Sequence, residues 1–370
     1  MISRTPPGGP RSLCIALLIG RFPPHDVGGA ERQAERLAGL LAARGHRVTV
    51  ITRRWDGRPA REEYQGYTIV RVPVAFAGPL RSAFDMAATL WALARLRPRP
   101  DVTLCFQTFA SGFAGGLASL FLEVPSVVWV RGENEYRFDR AARLKLPARF
   151  AWSRARRVLV QTAEHRQRLL AHYGEIAPLA AERLAALIEV IGNGVDLPPA
   201  PAPPGRDWLY VGRLIEHKNV DVLLRALAEV TGPARGQPLW IVGYGPERLR
   251  LEAAARALGV DARFEGFRPP ADLPAYYARA RAILLPSTQG EGLPNAVLEA
   301  MAYGVPPVTT DLPGTRELVG QSGLLVPPGD AAALARALEE VSEDSRRAEL
   351  AARARTRAAA YAWPDRKSVV

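Results

Sequence analysis

The chain has 370 residues, a length that exceeds one ordinary hydrophobic core and predicts about two domains. Hydrophobic residues make up 48% of the chain and charged residues 23%, a balance that excludes an intrinsically disordered protein. The net charge of +12 lies in the first half, because residues 1–195 hold 28 basic and 16 acidic residues, whereas residues 196–370 hold 21 of each.

The first half alternates short apolar runs with helical periodicity, which is typical of helices packed on both faces of a parallel sheet. After the first strand, Ala30, Ala34, Leu37 and Leu41 recur at helical spacing, and Gly45 follows as a helix end. Strands are predicted at residues 13–19, 48–52, 68–72, 102–107, 126–130, 158–161 and 189–191.

Two apolar segments of the first half raise the question of a membrane or secretory signal. Residues 102–122 are uncharged and long enough to span a bilayer, but Gln107, Ser111 and Gly112 at their middle favour a strand, a turn and a helix. Residues 13–20 are too short for a secretory signal and lack a cleavage site, so we predict a buried strand. Cys14 and Cys105 lie in predicted strands, which indicates reduced core cysteines in a cytoplasmic protein.

A proline-rich segment separates the two halves. Five prolines occur in the nine residues 197–205, which predicts a stiff linker between domains at residues 1–196 and 206–370. The second half is again α/β, with strands predicted at 208–211, 239–242, 263–265, 282–285 and 307–309 and helices at 220–230 and 294–303. Because open α/β sheets bind ligands at the carboxyl ends of their strands, two such domains facing each other would form a cleft.

Two loops of the second half predict a phosphate-binding site. Arg213 leaves a strand and Lys218 precedes a helix, and two such cations can clamp a diphosphate. Lys218 is one of three lysines among 49 basic residues, which favours a specific role over ordinary surface charge. Gly243 and Gly245 lack the third glycine of a dinucleotide fingerprint, but they permit close approach of a base or ribose; a simple tight turn is the alternative.

A third loop carries Glu291 and Glu299 around the run Gly292-Leu293-Pro294-Asn295, which predicts a loop that turns into a helix. Backbone N–H groups at a helix start can hold an anion, and the two carboxylates can accept hydrogen bonds from hydroxyl groups at either end of a ligand. The pattern indicates a sugar nucleotide, with a solvated helix face as the alternative.

Two loops of the first half are further candidates. Gly28 and Gly29 open a helix whose N–H groups can meet a phosphate, and the nearby His25 can assist an acceptor unless it is merely exposed. Arg131 and Glu133 follow another strand and can orient a sugar or an acceptor, or form a salt-bridged helix start.

Together these motifs resemble the retaining GT-B glycosyltransferases, in particular the large family GT4, over nearly the whole chain. The likeness rests on Gly28-Gly29-Ala30-Glu31, Gly192-Asn193-Gly194-Val195-Asp196, Gly212-Arg213 with Lys218, Gly243-Tyr244-Gly245, and the run from Glu291 to Ala302. It implies two Rossmann-like, doubly wound parallel-sheet domains facing across a cleft. The first domain would hold the acceptor and the second the nucleotide sugar, with no metal and no other cofactor.

The resemblance also implies roles for individual residues. Arg213 and Lys218 would neutralise the diphosphate leaving group, Glu299 would bind ribose hydroxyls, and Glu291 would contact the transferred sugar. Arg213, Lys218 and Glu291 are thus the predicted catalytic residues. The acceptor would attack the sugar on the face from which the phosphate departs, and that phosphate would take the proton of the acceptor hydroxyl. The other predicted donor-binding residues are Gly28, Gly29, Gly212, Gly243, Gly245, Gly292, Leu293, Pro294 and Asn295.

The chain departs from the family pattern in two places. Many members carry His-Gly where this chain has Arg131-Gly132, and because arginine cannot act as a base at neutral pH, an additional anion contact or altered sugar selectivity is expected. Residues 361–365 resemble the start of the final helix that members pack onto the first domain, and we expect that helix to be cut short.

We therefore predict a bacterial hexosyltransferase for cell-envelope polysaccharides, acting from a UDP-, GDP- or ADP-linked donor on a lipid-linked or glycan acceptor. A nucleotide-sugar epimerase of the same fold and a non-catalytic nucleotide-sugar-binding protein are the alternatives. The basic first half indicates peripheral contact with anionic lipid at the inner face of the plasma membrane, although general solubility charge would look the same. No nucleic-acid partner is expected.

Overall fold

The computed structural model describes residues 12–23, 28–55, 57–74, 81–131, 145–176 and 178–363. These residues form two compact units that divide after Val190, each with its own sheet. The proline-rich segment 197–205 belongs to the second unit, where Arg355 donates a hydrogen bond to the Pro198 carbonyl oxygen at 2.8 Å and Ala202 N–H donates to Tyr303 O at 2.8 Å.

The first unit is built on an eight-stranded sheet with the order β3-β4-β2-β1-β5-β6-β7-β8, in which β3 is antiparallel to β4 and the other pairs are parallel. The strands are β1 (Cys14–Leu18), β2 (Arg47–Arg53), β3 (Arg61–Tyr64), β4 (Tyr67–Val72), β5 (Val102–Phe106), β6 (Ser126–Trp129), β7 (Ala155–Val160) and β8 (Ile188–Val190). The seven predicted strands are confirmed. Strand β3 was not predicted, because it is a charged edge strand with an exposed side and no apolar alternation.

Helices connect the parallel strands of this unit. They are α1 (Gly29–Ala43), α2 (Arg81–Arg95), α3 (Phe113–Phe121), α4 (Lys145–Arg154), α5 (Ala163–Ile176) and α6 (Pro178–Leu187). The stripe on α1 is confirmed, since Ala34, Leu37 and Leu41 are buried and the N–H of Gly45, at φ +85°, donates to Ala42 O at the helix end. The uncharged segment 102–122 forms β5, a π-helical turn (Thr108–Gly112) and α3. Within the described part of the chain, no helix is long and apolar enough to cross a membrane.

The second unit is built on a six-stranded, all-parallel sheet with the order β11-β10-β9-β12-β13-β14. The strands are β9 (Asp207–Val211), β10 (Leu239–Val242), β11 (Ala262–Gly266), β12 (Ala280–Leu285), β13 (Pro307–Thr310) and β14 (Leu324–Val326). The five predicted strands are confirmed, and β14 was missed because three residues are too few for a periodic signal.

The helices of the second unit cover both faces of its sheet, as the doubly wound prediction requires. They are α7 (Val220–Glu229), α8 (Arg248–Leu258), α9 (Leu273–Arg279), α10 (Asn295–Ala302), α11 (Pro313–Val319), α12 (Ala331–Glu340) and α13 (Asp344–Ala359). Large buried side chains such as Trp208, Tyr210 and Tyr277 belong to one core cluster around this sheet.

Strand order locates the functional end of the second sheet. The connections run outward in opposite directions from β9 and β12, which are neighbours in the sheet, so the switch point lies between these two strands. Ligands of doubly wound sheets bind outside the carboxyl ends of the strands at this point. The loops that follow Val211 and Leu285 are the ones placed there.

Candidate active site

Lys218 and Glu291 meet at the switch point of the second sheet. Lys218 ends a 3₁₀ turn (Glu216–Lys218) in the loop after β9, and Asn219, at φ +52°, then starts α7. Glu291 lies in the loop after β12. The Lys218 ammonium donates a hydrogen bond to Glu291 Oε1, and the two side chains are only 14% and 6% exposed. Because both side chains are largely removed from water, loss of either one would leave the other as an uncompensated buried charge.

Two hydroxyl groups fix the position of the Glu291 carboxylate. Ser287, fully buried after β12, donates to Glu291 Oε1 at 2.5 Å. Thr310, at the end of β13, donates to the Ser287 carbonyl oxygen at 2.5 Å. Sequence reasoning missed both residues, although their position at strand ends beside the predicted loop is a signal that could have found them.

Tyr210 supports the loop that carries Arg213. Its hydroxyl donates to the Arg213 carbonyl oxygen at 2.8 Å. Burial, and then the negative charge of Glu291, raise the pKa of Tyr210 far above its usual range, so the hydroxyl remains a donor at every physiological pH. The Arg213 side chain itself is exposed. The site therefore presents one partly buried ammonium and one solvent-facing guanidinium on the same short loop.

Glycines allow the loops of the site to pack backbone against backbone. A Cβ at Gly243, where φ is +151°, would overlap the Gly212 carbonyl oxygen, and a Cβ at Gly245 would overlap that of Leu214. The N–H of Leu214 donates to Tyr244 O at 2.8 Å. The close approach seen at these glycines is thus between two protein segments, and their predicted contact with a base or ribose stays a prediction.

The run Gly292-Leu293-Pro294-Asn295 is a loop that becomes a helix, as predicted. Gly290 turns the chain with φ +81°, Pro294 caps the helix and Asn295 is the first residue of α10. Asn193, which was not among the predicted site residues, donates from Nδ2 to Leu293 O and to Asn295 Oδ1, both at 2.6 Å. These two bonds hold the first turn of α10 against residues just after the start of the second unit.

Glu299 lies on the second turn of α10 and is half-buried. The Tyr277 hydroxyl donates to Glu299 Oε2 at 2.7 Å, and the Tyr303 ring lies 5.4 Å from the Tyr277 ring. Burial, and then the charge of Glu299, raise the pKa of Tyr303. Tyr277 comes from α9 and is buried, so a fixed donor sets the orientation of this carboxylate.

In the first unit, Gly28 is the N-cap of α1 and Gly29 its first residue, which matches the predicted helix start. Arg131 follows β6 and is buried, with its guanidinium carbon 4.6 Å from the Trp129 ring centroid and 5.4 Å from that of Phe106. His25 and Glu133 lie outside the described residues. Their predicted roles, like that of Arg131, stay predictions.

A cavity lies at the carboxyl ends of β1, β2 and β4 in the first unit. Its polar lining includes Gly20, Arg53, Asp85 and Ser111. Arg53 Nη2 is 3.0 Å from Asp85 Oδ2, and the Asp85 side chain is buried. Sequence reasoning did not single out these residues, because a salt bridge between β2 and α2 has no local signature.

Clustered metal ligands and reactive thiols are the remaining kinds of chemical group to consider among the described residues. No group of three or more His, Cys, Asp or Glu side chains that could hold a metal ion occurs there. Both cysteines are free, and burial raises the pKa of the Cys105 thiol to about 12, so it stays protonated and unreactive.

Comparison with known families gives matches in both units. The family model described as "Glycosyltransferase Family 4" matches residues 27–198, and that described as "Glycosyl transferases group 1" matches residues 205–344. The two matched segments cover most of both sheets.

Similar proteins agree with these matches. A 2-deoxystreptamine N-acetyl-D-glucosaminyltransferase from Streptomyces fradiae is 31% identical over 367 residues, covering 87% of this chain and 84% of that protein. A lipopolysaccharide core biosynthesis glycosyltransferase, LpsE, from Rhizobium meliloti is 29% identical over 349 residues, covering 88% and 89%. The crystal structure of Anabaena Alr3699/HepE in complex with UDP and glucose superimposes with a TM-score of 0.74 at 20% identity, over 94% of this chain and 95% of that one.

Proposed function

Because the chain belongs to the group 1, GT4-type glycosyltransferases of the GT-B fold, we propose that it transfers a hexose from a nucleoside diphosphate sugar to a lipid-linked or glycan acceptor. The observation that carries this proposal is the meeting of Lys218 and Glu291 at the switch point of the second sheet, with Arg213 on the same loop. This is the place where a doubly wound sheet binds a nucleotide.

In the proposed donor site, Lys218 and Arg213 bind the diphosphate. Negative charge develops on the leaving phosphate oxygen as the glycosidic bond breaks, and fixed cations beside that oxygen lower the barrier. The first turn of α10 adds free N–H groups for the same phosphates. The solved structure of HepE with UDP and glucose supports a uridine nucleotide as the first donor to test.

The two carboxylates are proposed to bind opposite ends of the donor. Glu299, oriented by Tyr277, accepts hydrogen bonds from the ribose hydroxyls, and Glu291, oriented by Ser287, accepts them from the transferred sugar. Each carboxylate keeps several acceptor positions beyond the single hydroxyl bond that orients it.

We place the acceptor in the first unit, at the cavity lined by Arg53 and Asp85. The likeness to LpsE supports an acceptor of the cell envelope. The basic charge of this half supports peripheral contact with anionic lipid at the inner face of the plasma membrane.

We propose transfer with retention and without a metal ion. Arg213 and Lys218 supply the positive charge that a metal ion would otherwise bring to the diphosphate, and the leaving phosphate takes the acceptor proton. The anomeric coupling constant of the product, measured by NMR, tests retention, because a product of inverted configuration would contradict it. Loss of turnover in excess EDTA would contradict metal independence.

Substitution of Lys218 tests the donor site. In Lys218→Ala we expect the affinity for UDP or GDP to fall by about 1.5–3 kcal/mol, the range for hydrogen bonds to charged groups, measured by isothermal titration calorimetry. Arg235→Ala is the matched control, since it removes an equal charge from an exposed position of the same unit. Unchanged nucleotide affinity in Lys218→Ala would contradict the assignment.

A further inference from the structure

Two arginines are buried together at the amino end of β12. The loop 286–294, which follows the carboxyl end of β12 and carries Glu291, is called the donor loop. Arg281 is the second residue of β12 and is 9% exposed, and Arg347 is in the first turns of α13 and is 6% exposed. Burying two like charges side by side is unfavourable unless negative charge accompanies them.

The protein supplies little of that negative charge. Arg281 Nη1 donates to the Ser342 carbonyl oxygen at 2.7 Å, and the carboxylate near it, Asp344 Oδ1, is 3.7 Å away on a side chain that is 95% exposed. Among the described residues, the Arg347 guanidinium has no hydrogen bond or ion pair, and the Nε atoms of both arginines are enclosed without a partner. Burial, followed by the charge of Arg281, lowers the pKa of Arg347.

The same place is the start of a long helix that has no side-chain cap. Helix α13 has 16 residues, and its N-cap residue, Glu343, makes no side-chain hydrogen bond to the helix. The N–H groups of the first turn therefore point outward without a partner inside the helix, and they carry the positive end of the helix dipole. The Arg347 guanidinium interacts electrostatically with Arg281 and with Asp344, the first residue of α13, which places it near these N–H groups; helical side chains generally lean in this direction.

These features converge on one chemistry. Two guanidinium forks and a helix start all donate hydrogen bonds and all favour an anion, and arginine forks match the oxygen geometry of phosphate. The next residue, Arg346, is already occupied, because it pairs with Glu340 at 2.7 Å and Glu349 at 2.6 Å. Of these three arginines, Arg281 and Arg347 have no buried carboxylate partner among the residues that the structure describes.

We propose that Arg281, Arg347 and the start of α13 form a binding site for a phosphate dianion, either free or as the terminal monoester of a small metabolite. The site is separate from the donor site, because the two lie at opposite ends of β12. Arg281 is at the amino end of the strand, whereas Ser287 and Glu291 follow its carboxyl end. A ligand bound here stabilises the second unit without touching Lys218.

The test is thermal unfolding of the full chain in sodium phosphate against sodium chloride at equal ionic strength. At saturating phosphate we expect the melting temperature to rise by about 2–4 °C beyond the chloride value, and to rise equally in the control Arg346→Met. In Arg347→Met we expect the phosphate-specific rise to vanish. A second arm with methyl phosphate identifies the source, because an equal rise assigns a monoester and no rise assigns the free ion.

Lys218→Ala separates this site from the donor site. Phosphate stabilisation that persists in Lys218→Ala and disappears in Arg347→Met supports the proposal, whatever the outcome for nucleotide binding. Stabilisation lost in Lys218→Ala but retained in Arg347→Met, or absent from the unsubstituted protein, overturns it.

Asp344→Asn provides a second variant that should remain folded, because its side chain is on the surface. Removing this competing carboxylate should increase phosphate affinity several-fold. A decrease in phosphate affinity would overturn the proposal, since it would make Asp344 part of the site and not its competitor.

Discussion

At the scale of single residues, both site carboxylates are oriented by hydroxyl groups. Glu291 accepts from Ser287, and Glu299 accepts from Tyr277. A hydroxyl donor fixes the direction of a carboxylate without adding a formal charge beside it, and the further acceptor positions of the two oxygens suit a ligand rich in hydroxyls. Glu252 on α8 is a helix carboxylate of the ordinary surface kind, and it pairs with Arg248.

The ribose assignment gives a prediction for Glu299→Gln. The amide keeps the length of the side chain and can still accept from Tyr277, but it loses the charge-assisted bonds to two ribose hydroxyls. We expect UDP affinity to fall by about 1.5–3 kcal/mol in calorimetry, with pyrophosphate affinity unchanged. Glu252→Gln is the matched control, and equal losses for UDP and pyrophosphate would refute the role.

At the scale of elements, the donor loop is held by the start of α11. A Cβ at Gly314 would overlap the Gly292 carbonyl oxygen, so the backbone of α11 lies directly against the run that precedes α10. Thr315 closes this contact, because its hydroxyl donates to Thr310 O at 2.5 Å and accepts from Leu312 N–H at 3.0 Å. The segment 310–314 therefore supports from behind the loop that carries Glu291.

Gly314→Ala tests this support. The added methyl group must push the donor loop away, and we expect a loss of about 1–3 kcal/mol in the free energy of unfolding together with weaker UDP binding. Gly236→Ala is the control. Its φ of +73° makes alanine unfavourable, but a Cβ there has open space, so stability should fall while UDP affinity is unchanged. Normal UDP binding in a destabilised Gly314→Ala would contradict the contact's role.

At the scale of the whole molecule, charge distinguishes the first unit, and exposed apolar side chains accompany that charge. The excess positive charge lies there, as do the exposed Trp91, Phe121 and Leu146. The Arg95 guanidinium carbon lies 4.1 Å from the Trp91 ring centroid, which pairs a cation with an aromatic side chain on the exposed face of α2. Aromatic and basic groups together favour the interface of an anionic bilayer.

Vesicle binding tests this surface. We expect sedimentation with phosphatidylglycerol vesicles, weakening steeply as salt is raised, and no binding to neutral phosphatidylcholine vesicles. Trp91→Ser should weaken binding several-fold, whereas Phe267→Ser, which changes a half-exposed aromatic residue of the second unit, should not. Binding that depends neither on salt nor on lipid charge would contradict this role and would assign the basic charge of the first half to solubility.

The parts that could be predicted from sequence are those with a local signal. Buried parallel strands read as apolar runs, and Lys218, Glu291 and Glu299 stand beside glycine and proline signals at strand ends. Pairing of Lys218 with Glu291 depends on the order of strands in the sheet, which a local pattern does not contain. The partners of Ser287, Tyr277 and Asn193 depend on the same tertiary arrangement, so their supporting roles were missed even though Ser287 lies at a strand end and Asn193 within a recognised motif.

If the donor binds as proposed, the Lys218–Glu291 ion pair makes that binding an exchange reaction. A diphosphate that bonds to Lys218 competes with the carboxylate that holds it, so the measured affinity reports the difference between two ion pairs and not the strength of one. The same exchange vacates the acceptor position on Glu291 that Lys218 occupied, which a sugar hydroxyl can then use. A nucleoside diphosphate without its sugar gains the first half of this exchange alone, which gives the enzyme a thermodynamic reason to bind the complete donor more tightly than the spent one.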